Sequence, residues 1–286
     1  MAGKRQIRRT KMRLSGALLM MAVLALLMHT AGTSGVAADS PAMRPQAAER
    51  VVPPPSAAKP VESARMPSVV VEEPKPEPES APEPERSVAV PASDPVEDTY
   101  FEDAVFLGDS RTEGFYLYSG LKSGTYYYAV GATVESVFSK KAWQTPNGKV
   151  PLLDAMAKTP GGKVYVMLGV NELGWPKTQA YHDQYAKLID RIREDHPDAE
   201  VVLESLLPVS AKQEAKKTYV NNKRILEYNA IIKTLAEEKD CWYLDVAEAV
   251  TGEDGCLRAD LTSDGVHMNT AGCKVWLDYL RTHSVP

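Results

Sequence analysis

The residues of this chain whose types could do chemistry are a serine, a histidine and an aspartate in two distant segments. Ser110 lies in segment 108–111 (GDSR), and His267 ends segment 264–267 (DGVH). A serine hydroxyl is a weak nucleophile until a base takes its proton, and an imidazole held by a carboxylate can do so. We therefore predict a catalytic triad of Ser110 as nucleophile, His267 as base and Asp264 as the partner of His267.

Hydrogen-bond donors for an oxyanion are found in three places. Ser110 would begin a helix, where backbone N–H groups lack partners within the helix. Gly131 follows another apolar run, and Asn171 lies in segment 169–172 (GVNE). We predict that the N–H groups of Ser110 and Gly131 and the amide of Asn171 converge on the negative charge of a tetrahedral intermediate.

Arg111, Glu172 and Trp175 stand beside these positions and are candidates for lining the substrate site. Each segment also has an ordinary structural reading. Segment 108–110 could be a plain turn, Asn171 a turn or cap residue, and segment 264–267 a loop that caps a helix. The occurrence of all the segments together favours the catalytic reading.

These segments follow elements that alternate between strand and helix. Short, apolar runs, rich in β-branched and aromatic residues, predict five strands at Ala104–Leu107, Tyr126–Val130, Val164–Leu168, Val201–Leu203 and Trp242–Leu244. Helical spacing of apolar residues follows at 181–192 and 225–235, and a last helix is predicted at Thr270–Arg281 with Asn269 as its N-cap. Apolar strands separated by helices predict a parallel sheet covered on both faces, with ligands bound at the carboxyl ends of its strands.

Composition excludes some functions. The 286 residues carry 33 Lys+Arg against 38 Asp+Glu, a net charge of −5, which argues against a nucleic-acid-binding protein. The histidines show no metal-ligand spacing, so we expect neither a metal nor another cofactor. Three cysteines are too few for a disulfide scaffold. Cys256 and Cys273 could pair outside the cell, although the sequence does not fix their separation.

The chain divides into three parts. Residues 1–38 combine a basic start with an uncharged run at 16–28, which is typical of a signal peptide or, if uncleaved, a membrane anchor. Either one exports the remainder and provides its only expected membrane contact. Residues 39–98 hold most of the 21 prolines and predict a disordered Pro/Glu-rich linker. Residues 99–286 can bury a core and form the predicted catalytic domain.

The order of the segments resembles that of the SGNH hydrolase superfamily, also called GDSL-like esterases, of an exported bacterial type. The matching blocks are 106–110 (FLGDS), Gly131, 169–171 (GVN), 206–208 (LLP) and 264–267 (DGVH). The resemblance covers about residues 103–282. It implies a three-layer α/β/α sandwich with a five-stranded parallel sheet, and it implies the roles given above for Ser110, His267, Asp264, Gly131 and Asn171.

Two positions depart from the commonest pattern of that family. Arg111 replaces the leucine of the name-giving motif, and Glu172 replaces the usual aspartate after Asn171. Both leave the expected reaction class intact and bear on specificity.

The expected function is an exported serine esterase that removes short acyl groups, in particular O-acetyl groups, from a cell-surface or environmental glycan. Other readings stay open: acyl transfer to carbohydrate, a lysophospholipase or thioesterase, or a binding module with a silent triad.

Overall fold

The computed structural model describes residues 87–285. The predicted signal or anchor segment at 1–38 and the predicted linker up to residue 86 lie outside the described residues. Between residues 87 and 285, no helix is both long and apolar enough to cross a membrane.

A five-stranded parallel sheet forms the centre of the domain, with strand order β2-β1-β5-β6-β7. Its strands are β1 (Ala104–Gly108), β2 (Thr125–Tyr128), β5 (Lys163–Met167), β6 (Glu200–Glu204) and β7 (Trp242–Leu244). In this register Gly108 at the end of β1 pairs with Tyr128 on one side and Met167 on the other. The carboxyl ends of these three strands therefore lie side by side.

The predicted strands are confirmed to within one or two residues at most ends. All five residues of β1 are buried, as expected for a strand covered on both faces. The largest difference is at β2, which was predicted to reach Val130. The strand ends at Tyr128 because the chain turns there, with the N–H of Ala132 donating to the carbonyl of Ala129.

Eight α-helices occur in the described part of the chain. They are α1 (Ser110–Tyr118), α2 (Ser136–Ser139), α3 (Leu152–Met156), α4 (Thr178–Asp195), α5 (Ala211–Glu214), α6 (Asn222–Glu238), α7 (Val246–Val250) and α8 (Thr270–Arg281). The prediction for α8 is confirmed, including its N-cap, since the Asn269 side chain accepts from the N–H of Gly272. The predicted apolar faces of α4 and α6 are buried.

Helices cover both faces of the sheet. On one face Phe106 of β1 packs against Phe115 of α1, which in turn packs against Trp276 of α8. On the other, Tyr181 of α4 packs against Tyr228 of α6 and donates to the carbonyl of Leu168. The fold is thus the expected three-layer α/β/α sandwich.

The sequence did not predict a hairpin between α2 and α3. A short antiparallel hairpin, β3 (Trp143–Thr145) and β4 (Gly148–Val150), lies between α2 and α3. Its three-residue strands are mostly exposed, so they lack the apolar pattern that marks the central strands.

The linker was expected to extend to residue 98, and this boundary is wrong. Val88 and Val90 are buried, and backbone hydrogen bonds join them to Tyr243 at the edge of the sheet. Asp98 then forms an ion pair with Arg281 in α8. Residues 88–98 therefore belong to the folded domain, because an open strand edge offers backbone partners that composition cannot reveal.

The considered pairing of Cys256 with Cys273 does not occur, since all three cysteines are free. Cys273 is buried in α8, and its Sγ donates to the carbonyl of Gly114.

Candidate active site

The predicted nucleophile lies at the turn between β1 and α1. Asp109 is the N-cap of α1, and its Oδ1 accepts from the N–H of Arg111 at 2.8 Å. Ser110 is the first residue of the helix and is partly exposed. This turn places the hydroxyl at the carboxyl end of β1, with free helix N–H groups beside it.

The three residues of the predicted triad form one hydrogen-bonded row. Ser110 Oγ lies 2.9 Å from His267 Nε2, and His267 Nδ1 lies 2.7 Å from Asp264 Oδ2. A carboxylate can only accept, so Nδ1 carries the proton and donates to Asp264. Nε2 is then free to accept from the hydroxyl of Ser110. This is the arrangement needed to activate a serine.

Asp264 is held in its ionised form. Its partial burial works to raise its pKa, but the backbone N–H and imidazole of His267 and the N–H of Val266 outweigh burial and lower the pKa below its usual range. Both of those N–H groups donate to Oδ1 at 2.8 Å, which leaves Oδ2 for the imidazole.

Local hydrogen bonds shape the loop that carries Asp264 and His267. The hydroxyl of Thr262 donates to the carbonyl of His267 at 2.7 Å and accepts from the N–H of Gly265 at 2.9 Å. Gly265 has a φ of +92°, which a residue with a Cβ rarely adopts. A Cβ there would also meet the Ser210 side chain.

The predicted oxyanion donors lie on three neighbouring loops. Gly131 is exposed in the turn after β2, with a φ of +72°. Asn171 lies in a 3₁₀ turn after β5, and its Nδ2 donates to the carbonyl of Ala132 at 2.8 Å and to Asp109 Oδ2 at 3.2 Å. Asn171 thereby connects the Gly131 turn to the nucleophile turn.

Glu172 does not line an open site, contrary to our expectation. It is fully buried, and its Oε1 accepts from the N–H of Val134 at 2.6 Å. Burial raises its pKa to about 8, helped by the charge of Asp109. Glu172 therefore attaches the Gly131 turn to the Asn171 turn from inside the protein.

Arg111 is also buried, with 2% of its surface exposed, so the expectation that it lines the substrate site is wrong. Its Nη1 donates to the carbonyl of Leu207 at 2.8 Å. Trp175 is partly buried and packs against the core. The carbonyl of Trp175 accepts from Arg224 at 3.4 Å, a contact that ties its loop to α6.

Sequence reasoning missed two groups that position the site. Thr262 supports the His267 loop, and the signal for it was a hydroxyl residue two positions before Asp264, in a turn-forming segment. The carbonyl of Ala132 holds Asn171, and a backbone acceptor of this kind has no signature in the sequence. Asp109 both caps α1 and accepts from Asn171.

An open groove of about 610 Å³ lies beside Asp264. We call it the acid-side groove; its lining includes charged and hydroxyl side chains, among them Lys212, Asp254, Arg258 and Ser263.

A second surface, here called the aromatic surface, comprises Tyr116, Tyr128 and Trp143. The ring of Tyr116 lies 5.7 Å from that of Tyr128, which lies 5.9 Å from Trp143. Exposed Val130 joins this surface to Gly131 along the chain.

The chain was compared with known proteins. The model of the GDSL-like lipase/acylhydrolase family matches residues 106–275. Among curated proteins, none matches significantly.

Three solved structures are similar to this chain. A Streptococcus pneumonia protein provisionally named a platelet activating factor is 23% identical, with a TM-score of 0.51, over 63% of this chain and 82% of that one. A provisionally named SGNH hydrolase from Slackia heliotrinireducens is 20% identical, with a TM-score of 0.48, over 63% and 97%. A mutant acetyl-xylooligosaccharide esterase from Geobacillus Stearmophilus is 17% identical, with a TM-score of 0.45, over 65% and 95%.

The family model spans more than half of the chain, and its match begins in the strand that leads into Ser110 and ends beyond His267 in α8. The chain therefore belongs to the GDSL-like lipase/acylhydrolase family and is an ester hydrolase.

Proposed function

We propose that this protein is an exported serine esterase that removes short acyl groups, in particular O-acetyl groups, from a glycan. The observation that carries the catalytic part is the continuous row from Ser110 Oγ through the imidazole of His267 to Asp264, with contacts of 2.9 and 2.7 Å.

In the first step Ser110 Oγ attacks the ester carbonyl carbon, and the hydroxyl proton passes to His267 Nε2. Asp264 stabilises the imidazolium that forms. The carbonyl oxygen becomes an oxyanion beside the N–H groups of Ser110 and Gly131 and the amide of Asn171. The Asn171 amide donates to Asp109 at 3.2 Å and to the carbonyl of Ala132 at 2.8 Å. The N–H that makes the longer bond, to Asp109, is the one that would donate to the oxyanion instead.

Collapse of this intermediate breaks the bond to the alcohol oxygen, which leaves with the proton from His267. The acyl group stays on Ser110 Oγ. A water molecule then gives a proton to His267 and attacks the acyl carbon. A second collapse returns the proton to Ser110 and releases the carboxylic acid.

A glycan as the alcohol part is supported by two surfaces near the triad. The acid-side groove has a size suited to a small ligand, and the charged and hydroxyl side chains in its lining can form hydrogen bonds with a polyhydroxylated molecule. The aromatic surface leads along the chain to Gly131, and the faces of aromatic rings can stack on sugar rings. Export is supported by the basic and apolar pattern of residues 1–38.

Replacement of Ser110 by alanine tests the nucleophile. We expect Ser110→Ala to lower turnover of p-nitrophenyl acetate by at least about 10⁴-fold with unchanged circular dichroism. In the wild type, kcat/KM should decline in acid, because an imidazole protonated on both nitrogens cannot accept from Ser110. Unchanged turnover in the variant, or a flat rate down to pH 4, would contradict the mechanism.

An ester panel separates the remaining readings. Acetylated polysaccharides and a series of p-nitrophenyl esters from acetyl to octanoyl should favour the acetyl group. A preference for octanoyl would instead indicate a lysophospholipase or thioesterase. Transfer of the acyl group to an added glycan rather than to water would indicate an acyltransferase, and failure of a fluorophosphonate probe to label Ser110 would indicate a silent triad.

A further inference from the structure

Arg111 is a cation inside the protein, one residue after the proposed nucleophile. Its Nη1 donates to the carbonyl of Leu207, while its Nε and Nη2 have no partner among the described residues. Burial of a guanidinium is costly unless charges and hydrogen bonds compensate it. A leucine at this position, as in the family's commonest motif, would avoid that cost, so the arginine calls for a reason.

The carbonyl that Arg111 holds belongs to a rigid segment, residues 206–210. The side-chain amides of Asn229 and Asn222, both in α6, each form two hydrogen bonds with the backbone of this segment, at Leu206 and Val209 respectively. Segment 206–210 is therefore fixed to the core of the domain.

The far end of segment 206–210 holds the loop of the proposed triad. The N–H of Ser210 donates to the carbonyl of Gly265 at 2.9 Å, between Asp264 and His267 in the chain. A continuous path thus runs from the helix of Ser110 through Arg111 and this segment to the loop of the acid and the base.

The charge of Arg111 acts on both sides of the site. Burial lowers the pKa of Arg111 to about 10, against the opposing charges of Asp109, at the start of its own helix, and Asp264, on the facing loop. Arg111 therefore remains cationic at neutral pH. Burial raises the pKa of Asp109, and the N–H and charge of Arg111, together with His267, oppose that rise. The buried carboxyl of Glu172 also interacts with Asp109, whose charge helps to raise the pKa of Glu172.

We propose that Arg111 is a positioning residue for the hydrolytic site: its guanidinium fixes the nucleophile helix to the segment that holds the Asp264 loop, and its charge keeps Asp109 in the form that accepts from Asn171. This inference rests on the proposed triad. It explains why a buried arginine replaces the common leucine without touching the substrate.

The test compares Arg111→Leu, Arg111→Lys and Arg193→Leu in the full chain. Arg193 donates to the carbonyl of Asp240, a bond of the same type at a distance from the site, so it is the matched control. We expect Arg111→Leu to lower kcat for p-nitrophenyl acetate about 10–100-fold with little change in KM, and to move the acidic limb of the pH profile upward. Arg111→Lys should restore the wild-type position of the acidic limb and part of kcat. Arg193→Leu should have the kcat and the pH profile of the wild type.

A second readout needs no catalysis. In protein labelled with ¹³C-aspartate, the carboxyl resonance of Asp109, assigned with Asp109→Asn, should titrate about one pH unit or more higher in Arg111→Leu. The lysine variant should titrate like the wild type. If wild-type protein hydrolyses no ester, the proposed function fails while this titration still tests the charge of Arg111.

The proposal would be overturned if a folded Arg111→Leu variant had the kcat, the pH profile and the Asp109 titration of the wild type. If that variant does not fold, Arg111→Lys decides. Because lysine keeps the charge but loses the forked donor, a reduced kcat with an unchanged Asp109 titration supports the proposal, and a wild-type kcat overturns it.

Discussion

The nucleophile turn and the loop of the acid and base meet at Ser110 and His267, yet they are held in different ways. At the nucleophile turn Asp109 and Arg111 are buried, and besides the local N-cap bond between them each has a partner on a distant loop. In the other loop the side chains of Asp264 and His267 are 55% and 45% exposed, and neighbours within five residues hold them.

The carboxyl groups of this domain have different pKa shifts because their environments differ. Local N–H donors lower the pKa of exposed Asp264, whereas burial raises those of Asp109, Glu172 and Glu204. The exposed carboxylate keeps the charge that pairs with the imidazole of His267, and the buried ones join parts of the fold through hydrogen bonds. Changes in the exposed loop should therefore affect the rate, and changes in the buried groups should affect stability as well.

The largest effect is expected at the exposed loop. Asp264→Asn should lower kcat for p-nitrophenyl acetate about 10³–10⁴-fold, because an amide no longer selects the tautomer that leaves Nε2 free. The free energy of unfolding should change by less than about 1 kcal/mol, since the side chain is half exposed. Steady-state kinetics and urea denaturation measure the two, with exposed Asp278→Asn as the control. A stability loss that accounts for the lost activity would contradict the comparison.

A loss of both stability and activity is expected at the nucleophile turn. Asp109→Ala removes the N-cap of α1 and an acceptor of Asn171, so it should destabilise the protein by about 1–3 kcal/mol and lower kcat about 10–100-fold. Asp109→Asn keeps an acceptor at the cap and should retain most of the stability. Urea denaturation together with kinetics checks both. An alanine variant as stable as the wild type would show that the turn does not depend on its cap.

The smallest effect, visible only in stability against pH, is expected at Glu204. Burial raises its pKa from 4.5 to about 8, while Trp276 Nε1 donates to its Oε1 at 2.9 Å. Between these pH values the folded protein keeps a proton that the unfolded chain has lost, so stability falls as pH rises.

Glu204→Gln resembles the neutral carboxyl and keeps the acceptor for Trp276. The variant should be about 1–3 kcal/mol more stable than the wild type at pH 8, with a shallower slope between pH 6 and 8. Urea denaturation at several pH values measures this, and exposed Glu227→Gln should leave the slope unchanged. A Glu204→Gln variant with the wild-type slope would mean that this carboxyl ionises normally.

The sequence predicted the central sheet and the long helices because their apolar residues repeat with the period of each element. Segment 264–267 was also predictable as a unit, since three residues separate the carboxylate from the imidazole in one turn. Segment 88–98 and the hairpin at 143–150 were not predictable. Their order comes mainly from backbone partners, and the two buried valines of the first segment, Val88 and Val90, are too few to predict a strand.

The identity and order of the reactive residues, and the alternation of strands and helices that brings them to one end of a sheet, were fixed by the sequence alone. Contacts between distant parts of the chain were needed to place Arg111 and Glu172 inside the protein, to hold Asn171 against Ala132 and Asp109, and to bring Arg111 to the carbonyl of Leu207. The reason is that periodicity reports which side of an element is apolar, whereas the burial of a charged side chain depends on acceptors and charges that distant parts of the chain bring beside it.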